Sequence, residues 1–100
     1  MTKILGLSGS LRRASFNSGL LRAAAELAPD GVEIIIGSIA GVPLYDGDDE
    51  AANGTPTAVA TLNAQLAGAD GLLLVTPEYN NGIPGTFKNA IDWMSRGDGL

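Results

Sequence analysis

The chain has 100 residues, enough for one small domain. With 45% hydrophobic and 17% charged side chains it has the balance of a globular protein rather than a disordered one. It contains no cysteine and no histidine, which excludes disulfides, thiolate nucleophiles, Ser-His triads and nearly all zinc sites. A net charge of −5 argues against nucleic acid as a partner. No apolar run is long enough to cross a bilayer, and Met1-Thr2-Lys3 leads directly into a strand-like segment. The expectation is a cytoplasmic protein with no membrane association and no bound metal.

Lys3-Ile4-Leu5-Gly6-Leu7 is apolar without alternation, the pattern of a strand buried on both faces of a parallel sheet. Ser8-Gly9-Ser10 ends it, and Asn17 or Ser18 offers an N-cap for a first helix. Leu20, Ala24, Leu27 and Ala28 fall on one face of that helix, which Pro29-Asp30-Gly31 stops. Val32-Glu33-Ile34-Ile35-Ile36 reads as a second strand. A long irregular stretch follows from Gly37 to Thr55 and holds Pro43 and four glycines. Thr55-Pro56 resembles an N-cap followed by proline in the first helical position, with Val59, Leu62 and Leu66 as the buried face. Gly71-Leu72-Leu73-Leu74-Val75 is a third apolar strand. A loop from Thr76 to Pro84 precedes a third helix near Gly85-Thr86, with Phe87, Ala90, Ile91 and Met94 on one face.

Strands alternating with helices imply right-handed crossovers and a parallel, doubly wound α/β sheet. In the order 2-1-3 the switch point lies between strands one and three, and ligands bind at the carboxyl ends of those strands. The two loops there are the unusual ones. Ser8 to Asn17 runs from a strand tip to a helix N-terminus, where unpaired N–H groups and the helix dipole favour an anion. Ser10, Ser15 and Asn17 add donors, and Arg12 or Arg13 adds charge. No Gly-x-x-x-x-Gly-Lys-Ser/Thr or Gly-x-Gly-x-x-Gly run is present. Gly6-Leu7-Ser8-Gly9-Ser10 falls short of a nucleophile elbow and has no histidine to serve it. Without a ligand, the same residues would only cap the helix and build the turn.

Thr76-Pro77-Glu78-Tyr79-Asn80-Asn81-Gly82-Ile83-Pro84-Gly85 sets an aromatic and two amides in a loop shaped by prolines and glycines. Such a loop suits a flat heterocycle with acceptors around its rim. The plainer alternative is a Pro/Gly turn with one half-buried tyrosine.

Together, Gly9-Ser10-Leu11-Arg12-x-x-Ser15-x-Asn17 and Thr76-Pro77-Glu78-Tyr79-Asn80-x-Gly82-Ile83-Pro84-Gly85-x-x-Lys88-Asn89-x-Ile91-Asp92-Trp93 resemble the NADPH-dependent FMN reductase family, which includes quinone, chromate and azo-dye reductases. The resemblance covers nearly all of the chain and implies a flavodoxin-like fold. It implies that Ser10, Arg12, Ser15, Phe16 and Asn17 line the FMN phosphate site. It also implies that Pro77, Glu78, Tyr79, Asn80, Asn81 and Gly82 contact the isoalloxazine or the ribityl arm. NADPH or NADH would be co-substrate and a small-molecule electron acceptor would be the second substrate. The flavin would carry the chemistry, so no catalytic side chain is required. Members of the family are often oligomeric, which makes a homo-oligomer the expectation.

Family members are nearly twice this length and continue with two more strands and helices. The chain is therefore expected to form an incomplete single domain over residues 1–100, truncated to three strands, with the third strand as an open apolar edge available for association. Two readings compete with the reductase: a non-catalytic FMN-binding electron carrier or interaction module, and an inactive fragment. Asp46-Gly47-Asp48-Asp49-Glu50 lacks the alternating ligands of a calcium loop and reads as a solvated acidic loop. Lys88, Asp92 and Arg96 read as surface ion pairs on one helix face. Trp93, off the apolar face, is left between packing on a neighbouring element and a subunit contact.

Overall fold

The computed structural model describes residues 1–10, 15–77 and 83–96. In chain order the elements are β1 (Thr2–Ser8), α1 (Phe16–Glu26), β2 (Val32–Ile36), α2 (Gly47–Asn53), α3 (Thr57–Ala67), β3 (Gly71–Val75) and α4 (Gly85–Met94). The strands form one parallel sheet in the order β2-β1-β3, as the alternation of strands and helices implies. Leu5 is level with Ile35 of β2 and Leu72 of β3, and Ser8 is level with Val75. The central strand is the most buried, with Leu5, Gly6 and Leu7 enclosed.

The core lies on the face that Leu5 and Leu7 share with α3 and α4. Leu62, Phe87, Ala90, Met94 and Ile39 pack with them, and Leu72 and Leu66 lie against the cluster. Here the helical periodicity read from the sequence holds: Val59 and Leu62 of α3 and Phe87, Ala90 and Met94 of α4 are buried. On the other face α1 approaches β1 closely. A Cβ on Gly6 would stand 2.6 Å from Leu21 Cδ1, so glycine at the centre of β1 is what admits the helix.

Four expectations are corrected. The buried face of α1 is set by Leu21, at 1% exposure, while Leu20 and Leu27 face solvent. Leucines and alanines occur all round this helix, so periodicity alone did not fix its rotation; the fit of Leu21 over Gly6 does. The N-cap of α1 is Ser15, whose Oγ accepts the Ser18 N–H at 3.0 Å; Asn17 and Ser18 lie inside the first turn. Helix α3 starts one residue later than expected, because Pro56 is extended (φ −58°, ψ 149°) and itself occupies the cap position. The acidic run is not a loop: Asp46 caps α2, its Oδ1 accepting from Asp48 N at 2.9 Å, and Asp48, Asp49 and Glu50 fill the first turn. Carboxylates there complement the positive end of the helix dipole.

The segment before α2 is anchored to α4 rather than loose. The Pro43 carbonyl accepts from Asn89 Nδ2 at 2.7 Å and from Trp93 Nε1 at 2.8 Å, and Asn89 Oδ1 accepts the Tyr45 N–H at 2.8 Å. Tyr45 meets Trp93 edge-on, with ring centroids 4.7 Å apart. Trp93 is thus a packing residue within the chain. Lys88 pairs with Asp92 at 2.7 Å as expected, whereas Arg96 turns to Glu50 and lies over the Tyr45 ring. Among the described residues no helix is long and apolar enough to cross a membrane.

Candidate functional site

The sheet topology brings the tips of β1 and β3 together. The Gly9 N–H donates to the Val75 carbonyl at 2.7 Å, which extends the ladder by one bond beyond Ser8. A Cβ on Gly9 would stand 2.7 Å from Phe87 Cδ2 and 2.8 Å from Thr76 Oγ1. The backbone of Gly9 therefore rests against the first turn of α4 and the end of β3, and a side chain there would push these elements apart. Thr76 Oγ1 donates to the Pro77 carbonyl at 2.8 Å. Pro77 is half-buried, at the point where the second loop leaves the sheet.

Ser10 follows Gly9 and is half-buried, its N–H donating to Ser8 Oγ at 3.2 Å. Ser8 Oγ also shares a 3.0 Å hydrogen bond with Ser18 Oγ, which ties the strand tip to the first turn of α1. Ser15 caps α1, and the chain resumes helical geometry at Phe16. A hydroxyl that accepts at a helix end can still donate its own O–H to an anion. Asn17 is half-buried in the first turn, whereas Phe16 is 97% exposed. The first turn carries no acidic residue, so nothing there opposes the dipole's attraction for an anion.

Of the residues singled out in the sequence, the structure gathers Ser10, Ser15, Phe16 and Asn17 at one helix end and Pro77 at the neighbouring strand tip. Arg12, Glu78, Tyr79, Asn80, Asn81 and Gly82 lie outside the described residues. The donor set that is described, serine hydroxyls and first-turn amides without a carboxylate, fits the phosphate of FMN.

Sequence reasoning missed that the concavity at this helix end reaches the tip of β2. Between the tips of β1 and β2, beside the first turns of α1, lies a cavity of about 310 Å³. It is bordered by Ser8, Ser10, Ser18, Arg22 and Ser38, with Leu21, Ile36 and Ile39 as apolar walls. Ser38 and Arg22 belong to segments that carried no motif, so only their convergence reveals them.

The fold and the two loop sequences define a flavodoxin-like protein of the flavin-reductase class. The sequence matches the family described as NADPH-dependent FMN reductase over residues 2–100, and the chain belongs to that family. It is 50% identical over 94 residues to an NAD(P)H-dependent FMN reductase of Pseudomonas aeruginosa, covering 94% of this chain and 50% of that one. It is 46% identical over 95 residues to a quinone reductase of Escherichia coli K12, again covering 94% and 50%. Among solved structures it superposes on the flavoenzyme NAD(P)H:(acceptor) oxidoreductase of Paracoccus denitrificans with a TM-score of 0.86 and 35% identity, covering 97% of this chain and 52% of that one. The chain thus spans about half the length of the curated relatives it matches.

Proposed function

We propose that the chain binds FMN across the tips of β1 and β3 and serves the NAD(P)H-dependent reduction of a small-molecule acceptor such as a quinone. The observation that carries this reading is the Ser15-capped N-terminus of α1 beside the β1 tip, itself bonded to β3, in a chain of the FMN reductase family. Ser10, Ser15, Phe16 and Asn17, with Arg12, hold the phosphate. Pro77, with Glu78, Tyr79, Asn80, Asn81 and Gly82, orients the ring or the ribityl arm. Bound flavin takes a hydride from reduced nicotinamide and hands electrons on, so the protein's own part is to bind, orient and shield. The exposed Phe16 ring offers an apolar wall at the mouth of the site.

The relatives' names, reductases working with NAD(P)H, favour catalysis over a pure electron carrier. The further features of this reading are one FMN-binding domain, incomplete over residues 1–100, a cytoplasmic location, and either a homo-oligomer or association through the β3 edge. Leu74 on that strand is 42% exposed.

The test is a titration of the chain with FMN, followed by flavin fluorescence and then by addition of NADPH. Saturable quenching and bleaching of the visible flavin band by NADPH support the reading. A folded chain that leaves FMN fluorescence unchanged refutes it for this polypeptide.

A further inference from the structure

Leu44 is 82% exposed, yet it stands on a segment fixed on both sides. The Pro43 carbonyl accepts from Asn89 Nδ2 at 2.7 Å and from Trp93 Nε1 at 2.8 Å. The Tyr45 N–H donates to Asn89 Oδ1 at 2.8 Å. One asparagine amide thus grips the backbone before and after residue 44. A lone exposed leucine is ordinary on a protein surface. A leucine whose flanking backbone is tied down in this way is a fixed apolar projection. Beside it on α4, Lys88 and Asp92 pair at 2.7 Å with side chains 60% and 48% exposed. Phe87, Ala90 and Met94 mark the buried face of α4. At about 100° per residue, the 88/92 stripe and the 89/93 stripe under Pro43 flank the opposite, outward face. The midpoints of these stripes differ in height by one helical rise, about 1.5 Å. A single two-fold axis at that height serves both. The charge stripe is self-complementary about such an axis. When a second copy lays its α4 antiparallel across the first, Lys88 of each copy meets Asp92 of the other. Leu44 of each copy then lies close to the axis, where its apolar surface leaves water.

We propose that the outward face of α4 binds a second copy of this chain in an antiparallel, two-fold dimer, with Leu44 as its apolar anchor and Lys88 and Asp92 as its charge pair. The proposal rests on the homo-oligomer part of the reading above and names the face; it makes no use of the flavin site. The β3 edge is the competing face, and the experiment distinguishes the two.

Sedimentation equilibrium of the purified chain should show a dimer whose dissociation constant rises with salt, as exposed charge contacts require. Leu44→Glu, outside any helix or strand, should make the chain monomeric with an unchanged far-UV spectrum. Lys88→Asp and Asp92→Lys each turn the attractive contacts across the axis into repulsive ones. Each should raise the dissociation constant about tenfold or more. An equimolar mixture of these two variants should associate again, because every contact across the axis then joins opposite charges. The pair within one helix cannot produce that recovery. A parent chain that stays monomeric overturns the proposal. So does a mixture no more associated than its separate components. A dimer that survives Leu44→Glu but is lost on Leu74→Lys, which sets a charge on the sheet edge, also overturns it and assigns association to β3. None of these measurements requires flavin, so a failed dimer face leaves the FMN titration to be judged by itself.

Discussion

Leu21 and Leu20 are adjacent on α1, and the structure gives them opposite fates. Leu21 is 1% exposed and lies over Gly6 of the central strand, whereas Leu20 is 61% exposed. Leu21→Ala removes a fully enclosed side chain from the contact that seats α1 on the sheet. It should cost about 2–5 kcal/mol, the lost transfer energy plus the residual cavity. Against a total stability of about 5–15 kcal/mol this is a large fraction. For a domain of this size, a loss of about 3 kcal/mol lowers Tm by about 12–24 °C. Leu20→Ala removes little buried surface and gains slightly in helix propensity, so its cost should stay below about 1 kcal/mol. Urea unfolding followed by far-UV circular dichroism measures both, provided the slope m is unchanged. A Leu20→Ala chain destabilised as much as Leu21→Ala, or more, would refute the rotation of α1. With it would go the placement of Ser15, Asn17 and Arg22 around the helix.

Asn89→Ala removes one of two donors to the Pro43 carbonyl and leaves the Tyr45 N–H without its acceptor; it should cost about 1–3 kcal/mol and shift Trp93 fluorescence, both measurable in one urea titration. The Tyr45 hydroxyl donates to Glu50 Oε1 at 2.8 Å, and that bond, helped by desolvation and opposed by Arg96, raises its pKa above 10.0. The resulting stabilisation is present below the unfolded-state pKa and is lost as pH rises through the raised folded value. Ultraviolet titration of a Tyr79→Phe chain should show this late ionisation, and Glu50→Gln should bring it earlier; no change on Glu50→Gln would contradict the assignment. Arg12→Ala should weaken FMN more than riboflavin in fluorescence titrations, since only FMN carries a phosphate; equal losses would move the phosphate contact elsewhere.

Much of the molecule is legible from the chain itself. The apolar runs at Lys3–Leu7, Val32–Ile36 and Gly71–Val75 could be satisfied only by a sheet covered on its faces. The intervening helices then forced parallel strands and put the functional loops at their carboxyl ends. The two loop motifs carried the family resemblance because their residue types and spacing are local properties. The acidic run misled because one residue decided it. Asp46 caps a helix, turning a stretch that reads as a solvated loop into α2.

What the sequence determined by itself was therefore whatever depends on near neighbours: strand and helix periods, turn residues, and the order of loops along the chain. Tertiary structure decided whatever depends on which surfaces meet. The rotation of α1 follows from Leu21 finding the gap above Gly6, and Trp93 is a core residue because its indole N–H meets the Pro43 carbonyl at a sequence separation of 50. The cavity at the β2 tip exists only because parallel pairing sets Ser38 beside the first turn of α1 and Arg22 folds back toward it. Periodicity describes the face an element offers, whereas packing alone determines which face is taken and what converges around it.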